Sequence, residues 1–334
     1  MGKPQNITIY QIAERAGVSA STVSRVINNY PFVDKSTRAK VLKVLLESNY
    51  VQNESARSLV TSESRMIGIL IADIRTTQHS DGVYYIEHEF LKSGYSSLIY
   101  NTGSDPEKQA KYIEMLSQRQ VEATVLMGSI YQNEVVQNAI MVYMPHVPVA
   151  ICNGYLDGSN IYGIISDEKS GVYDCMKLLA SKGRKHFAFL SNRITPSNLL
   201  KEEGFESGFR DFVENGSTYS VLTGETSVEI KNAMYNLLRE RPETDAIICA
   251  EDFMALVVLH TLAESGIAVP GKIAVVGINN SRYAEISNPA LTSIDNMLYD
   301  TSLIAVRNLL EVLKGGRVNH KMIICPKIIE RATT

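Results

Sequence analysis

Residues 8 to 28, TIYQIAERAGVSASTVSRVIN, confine the start of the chain to two short helices that cross closely. Ala13 and Gly17 stand four apart, and Val18, Val23 and Val26 follow on the inner face. Thr8 with Gln11 three residues on is a capping-box start, and Ser19 is placed to cap a second helix beginning at about Ala20. Gly17 can take the positive φ of a tight interhelical turn, and the small Ala13 lets the helices approach. This is the spacing of a helix-turn-helix, which reads DNA with its second helix. The blander alternative is an αα-hairpin of any small helical domain.

Charge separates this end from the rest. Residues 1 to 60 carry eight cations against four anions, a net of +4, so with −3 for the whole chain the remainder is −7. The positive end suits phosphates while the rest stays acidic. After the two helices, Lys35 to Ser48 places Val41, Leu42, Leu45 and Leu46 at helical spacing and predicts a third helix that closes a head over about residues 1–50. The following QNESARSLVTSES, within a 51–65 hinge segment, is too short and polar to hold a helix alone. It is either a solvated linker or a segment that folds against DNA, with Ala56 and Leu59 on one face as an apolar wedge for the minor groove.

From Met66 strand-length apolar runs alternate with helical stretches. MIGILIA, SSLIYN, ATVLMG and VPVAIC form one series; IYGIIS, KHFAFLS, AIICA and IAVVGI form a second, with helices near 168–182, 197–214, 226–239 and 251–265. Asp105 and Pro106 cap and open one helix of the first series. The fold class is therefore α/β: an all-α head followed by two doubly wound parallel-sheet lobes. Ligands of such sheets collect beyond the carboxyl ends of the strands, where Asp73, Asn101, Asn153, Asp167, Glu251 and Asn279 lie. Polar ends around one cleft suit a ligand rich in hydroxyls, although each residue alone is equally a helix cap or loop residue.

At 334 residues, two or three domains are expected. Cys152, Cys175, Cys249 and Cys325 are far apart, show no C-x-x-C, and read as buried reduced thiols of a cytoplasmic protein. No charged leader with an apolar stretch opens the chain and no run reaches membrane length, so neither export nor membrane insertion is expected. An enzyme is not expected either: phosphate-loop, nucleophile-elbow and zinc-protease motifs are missing, and the six histidines are scattered. No catalytic residue, metal site or cofactor is assigned.

Across essentially its full length the chain resembles transcription regulators of the lactose-repressor (LacI/GalR) family. The motifs that carry this are TIYQIAERAGVSASTVSRVINN, NESARSL, IGILIADI, NTGSDPEKQAKYIEMLSQRQVEATVLM, VPVAICNGYL, SDEKSG, HFAFLSN, AEDFMAL, VPGKIAVVGINN, NPALTSID and CPKIIERAT. The resemblance implies a head, a hinge helix and a two-lobed core like a periplasmic sugar-binding protein over 66–334. The chain would cross between lobes near Gly163, Asp295 and Met322, giving a first lobe of about 66–162 and 296–321 and a second of about 163–294 and 322–331.

The same resemblance sends Ala20 and Ser21 to the operator-reading start of the recognition helix, with Thr22 and Arg25 beside them, and Arg25 is suited to a bidentate bond to guanine. Thr8 opens the helix before it, while Tyr10, Ser19, Asn28, Thr37 and Asn53 would hold phosphates. Short side chains at 20 and 21 limit direct readout, so Leu59 and DNA deformability would carry part of the specificity. Effector positions implied by the likeness are Asp73, His79, Asn153, Ile165, Arg193, Lys201, Glu251 and Asn279.

Departures from the family pattern are informative. Gln52 replaces the usual proline before the hinge asparagine. Thr76, Thr77, Gln78 and His79 stand where an Asn-Pro-Phe-Phe run often lines the effector site, so an aromatic platform is missing there and the chain has no tryptophan. His79 is either a hydroxyl partner or an ordinary loop histidine. Lys201, ahead of Gly204 and Phe205, replaces a gripping arginine and loses its planar fork, with Arg193 as a stand-in. Glu251 and Asn279 have traded carboxylate and amide.

These likenesses imply a repressor of sugar-utilisation genes whose operator affinity is switched by a small hydroxylated effector, a sugar. The alternative is a global regulator whose core binds a protein co-repressor. A homodimer on a pseudo-palindrome is expected, because one helix-turn-helix buries too little alone and no terminal heptad run follows the last strand.

Overall fold

In a computed structural model, residues 7–27, 30–48 and 63–334 are described. The chain divides into two compact units, Met1–Ser64 and Arg65–Thr334. In the first, α1 (Ile9–Ala16), α2 (Ala20–Ile27) and α3 (Lys35–Glu47) pack around Ile12, Ala13, Val23, Val26 and Val41. The Thr8–Gln11 capping box forms in both directions, and Gly17 takes φ 66° to turn the chain into α2. Of the apolar residues expected to close the third helix, Val41 is buried, Leu45 is partly buried, and Leu42 and Leu46 stay exposed, while Val44 packs partly buried beside them. The head is too small to cover every apolar position of a thirteen-residue helix.

The second unit holds two six-stranded sheets among the described residues. The first comprises β1 (Met66–Ile71), β2 (Ser96–Asn101), β3 (Ala123–Met127), β4 (Val149–Cys152), β5 (Ile161–Ser166) and β11 (Lys321–Ile324), in the order β11-β5-β4-β3-β1-β2. The second comprises β6 (His186–Ser191), β7 (Ser217–Leu222), β8 (Ala246–Cys249), β9 (Ala274–Ile278), β10 (Thr292–Asp295) and β12 (Lys327–Ile329), in the order β12-β10-β9-β8-β6-β7. Both orders reverse once, between β1 and β3 and between β6 and β8, which places a ligand crevice at each switch point.

Two expected lobe crossings shift. Gly163 and Met322 are not boundaries: they lie inside β5 and β11, which pair with each other in parallel and complete the first sheet. The chain instead leaves the first sheet after Ser166, returns after Asp295, and crosses again between Ile324 and Lys327. An apolar run announces a strand but not the sheet it joins. The second sheet is also not wholly parallel, because β12 runs antiparallel to β10. Cys325, at that third crossing, is exposed rather than buried, since it belongs to neither strand. Cys152, Cys175 and Cys249 are buried; burial pushes the first two thiols up to about 12 and raises the third as well.

The first lobe packs helices on both sheet faces, with Ile67, Ile69, Phe90 and Leu309 on one side and Leu70, Ile113, Tyr131 and Ile151 on the other. In the second lobe α7 (Glu168–Ser181) and α8 (Pro196–Phe212) touch backbone to backbone. A Cβ added to Gly204 would lie 2.3 Å from the Lys169 carbonyl oxygen, and one added to Gly208 would lie 2.5 Å from the Met176 Cβ. Gly204→Ala is therefore expected to cost about 1–3 kcal/mol of core stability through overpacking. Urea denaturation checks this, and an unchanged midpoint would show that the helices separate freely.

Candidate DNA-reading head and interlobe cleft

The head exposes one polar edge. Ser19 precedes α2, and its Oγ accepts from the Thr22 amide at 3.2 Å while lying 2.8 Å from the Ser21 hydroxyl and 2.9 Å from that of Thr22. Thr8, Tyr10, Ser19, Ser21 and Arg25 are exposed, and Ala20, Thr22 and Thr37 are half-buried. Thr22 and Arg25, three apart, share a face of α2. The Thr37 amide donates to the Asp34 carboxylate that caps α3, and that carboxyl is held below its usual range chiefly by the Ser36 hydroxyl. Asn28, Asn53, Ala56 and Leu59 lie outside the described residues.

In the second unit the two switch points meet in a cleft. Its deep part, a cavity of about 120 Å³, is lined by His79, Asn153, Arg193, Lys201, Glu251 and Asn279 among others. Seven of the eight expected effector residues line this cavity or the outer one beside it; Ile165 lines neither. The outer cavity, about 360 Å³, adds Asp73, Glu225, Asp252, Phe253 and Tyr283 while sharing Asn192, Arg193, Glu251 and Asn279.

The polar groups are unevenly free. Asp73 receives Arg75 in a two-pronged ion pair, Nε to Oδ1 at 2.9 Å and Nη2 to Oδ2 at 2.7 Å, and this partner holds its carboxyl down at about 2. The Nδ1 of His79 lies 2.9 Å from the Asp73 carbonyl oxygen, and burial lowers the pKa of the ring, keeping it neutral. Asn153, in the left-handed region at φ 60°, accepts on its Oδ1 from the Ser166 amide at 3.3 Å. Arg193 pairs with Glu225 at 2.9 Å. Glu251 accepts from Asn192 Nδ2 at 2.7 Å, and burial raises its carboxyl pKa against the opposing pull of Lys201 and Arg193.

Lys201 is not the open ligand grip that its position suggested. Its Nζ donates to the Ala250 carbonyl at 3.1 Å and to Asn198 Oδ1 at 3.2 Å, and lies 3.3 Å from Glu168 Oε1, with both charged side chains almost wholly buried. Glu168 also accepts from Asn296 Nδ2 at 3.0 Å, and the same nitrogen donates to Asn279 Oδ1 at 3.0 Å. The buried chain Lys201–Glu168–Asn296–Asn279 thus ties the second lobe to the crossing strand. Ile165 falls outside this group too, in a neighbouring cavity of about 490 Å³ with Asn153, Tyr155, Leu200 and Lys321. Asn101 Oδ1 accepts from the Ile74 amide, 27 residues away, and Asp167 accepts from the Ser170 amide as the N-cap of α7, so both serve the backbone.

Residues 8–53 match the bacterial regulatory proteins of the lacI family, and residues 176–334 match the periplasmic binding protein-like domain. Over 331 residues, 98% of this chain and 99% of the relative, the chain is 32% identical to an HTH-type transcriptional regulator of Lachnoclostridium phytofermentans. The chain belongs to the LacI family of transcription regulators. Its fold matches a lac repressor dimer bound to operator and the anti-inducer ONPF, with TM-score 0.88, 24% identity and 99% of each chain covered. A transcriptional regulator CelR–cellobiose complex matches with TM-score 0.71, 21% identity and 98% and 100% coverage.

Within this LacI-family core, sequence reasoning missed Asn192, Glu168 and Asn296. Asn192 closes the HFAFLSN run and Glu168 sits in SDEKSG, so a signal existed for both. Their partners are 59 and 128 residues away, which local spacing cannot show. Among the described residues no helix is long and apolar enough to cross a membrane, and no His, Cys, Asp and Glu group is arranged to hold a metal.

Proposed function

We propose that this LacI-family regulator is a cytoplasmic repressor of sugar-utilisation genes, acting as a homodimer on a pseudo-palindromic operator and without enzymatic activity. A small hydroxylated effector, a sugar, binds in the interlobe cleft and changes operator affinity. The observation that carries this reading is the meeting of both topological switch points around Asn192, Glu251, Asn279 and His79, which offer hydrogen bonds without a dominating charge. The CelR relative is recorded with cellobiose, in keeping with a sugar in this cleft.

On DNA, Ala20, Ser21, Thr22 and Arg25 read the major groove. Thr8, Tyr10, Ser19, Asn28, Thr37 and Asn53 fix the backbone register, and Ala56 with Leu59 wedges the minor groove. A gel shift with a palindromic fragment, with and without candidate sugars, tests the whole reading. Arg25→Ala is expected to weaken specific binding by about 1–3 kcal/mol while leaving non-specific binding nearly intact. Unchanged operator affinity would remove Arg25 from the reading set. A core that binds no sugar but retains a protein from cell extract in a pull-down would replace the sugar with a co-repressor.

A further inference from the structure

The cleft has two parts of different chemistry. The deep cavity, about 120 Å³, is lined largely by polar residues and has a third of the volume of the outer one. The outer cavity is about 360 Å³ and opens into the deep one through shared walls at Thr76, Gln78, Asn192, Arg193, Glu251 and Asn279. Phe253 and Tyr283 wall the outer cavity from the second lobe, their ring centroids 6.4 Å apart and tilted by 53°. On the first-lobe side, where an aromatic run was expected and is missing, Thr76, Thr77 and Gln78 face this cavity.

The two rings are held in place. Phe253 is the second residue of α10 (Asp252–Glu264), and Tyr283 sits in the short α11 (Arg282–Ile286). Asp252 staples the two elements together: Oδ2 accepts from the Ser281 amide at 2.6 Å, and Oδ1 accepts from the Ser293 hydroxyl at 2.6 Å. Asp252 can sit this close to β9 because Gly277 has no side chain; a Cβ there would lie 2.2 Å from Asp252 Oδ1. Phe253 nevertheless remains 38% exposed, a large apolar side chain beside a cavity that it does not fill.

We propose that Phe253 and Tyr283 form an aromatic subsite for a second sugar ring, so that the effector is a disaccharide rather than a monosaccharide. This rests on the sugar reading of the cleft. One ring directs hydroxyls to Asn192, Glu251 and Asn279 in the deep cavity, and its linked neighbour lays its C–H face on the Phe253 and Tyr283 rings. An aromatic wall buries that apolar face while the ring's hydroxyls stay at the wet rim.

Calorimetric titration of the full-length protein with glucose, galactose, xylose, cellobiose, maltose and lactose tests it. The expected result is that at least one disaccharide binds roughly ten-fold or more tightly than its component monosaccharides. Phe253→Ala and Tyr283→Ala should bring that disaccharide down toward the monosaccharide level, and Phe253→Tyr, which keeps a ring, should restore the preference. Thermal melting of each variant separates a lost contact from a lost fold. A monosaccharide bound as tightly as any disaccharide overturns the subsite and leaves the sugar reading standing. So does a disaccharide preference that survives in both well-folded alanine variants. Binding of none of the six sugars overturns both.

Discussion

Lys201→Ala is expected to destabilise the two-lobed core by about 3–5 kcal/mol, because it strands a buried carboxylate. The Lys201 and Glu168 side chains are 6% and 2% exposed, with Nζ 3.3 Å from Oε1. Removing the ammonium leaves Glu168 with the Asn296 amide, at 3.0 Å, and opens a void under the Ala250 carbonyl. Most of that loss comes from the unpaired charge and not from the absent attraction. Replacing the pair together, as Lys201→Met with Glu168→Leu, is therefore expected to recover much of the stability. Denaturant unfolding of the single and double variants checks this. A single variant within about 1 kcal/mol of wild type would mean that water reaches Glu168.

The second large effect is on binding. Glu251→Ala and Asn279→Ala should each abolish the heat of effector binding. The first takes away the carboxylate that Asn192 orients at 2.7 Å, and the second an amide that Asn296 fixes at 3.0 Å. Preoriented groups lose no further freedom when the ligand arrives, so deleting one costs more than deleting a loose surface contact. The raised pKa of Glu251 adds a pH signature. Its ionised form accepts bonds from sugar hydroxyls and is lost as pH falls, starting at a higher pH than for an ordinary glutamate. Effector affinity should therefore drop on mild acidification, and this dependence should vanish in Glu251→Gln. If both alanine variants bind the effector as wild type does, the cleft is not the site and a protein co-regulator on the core becomes the better account.

What the sequence made legible was what local chemistry decides. The Thr8–Gln11 box, the Gly17 turn, the Asp105–Pro106 helix start and the apolar runs of β1, β3, β8 and β9 each need only neighbours within a few residues, and each forms. β7 escaped notice because its STYSVL sequence is an edge strand with alternating exposure and no apolar run. The sheet membership of β5, and with it the lobe boundary, depends on pairing with β11 about 160 residues later. The cleft was legible as a set of strand-end residues but not as a set of free groups. Asp73 is occupied by Arg75, Lys201 by Glu168, and Arg193 by Glu225. Phe253 and Tyr283 gave no signal, because single aromatics on two different helices become neighbours only after Asp252 has bonded Ser281 and Ser293.

The central claim is that the cleft and the operator communicate through the effector. A ligand moves the DNA equilibrium only by binding the two states of the core with different affinity, and by reciprocity operator DNA must then change the affinity for the ligand by the same factor. The most direct measurement is calorimetric titration of the active sugar into the free protein and into its complex with a palindromic operator duplex at one salt concentration. The account predicts dissociation constants that differ by about 5–150-fold, the usual range of allosteric coupling. Equal constants in the two titrations would contradict it, however tightly the sugar binds.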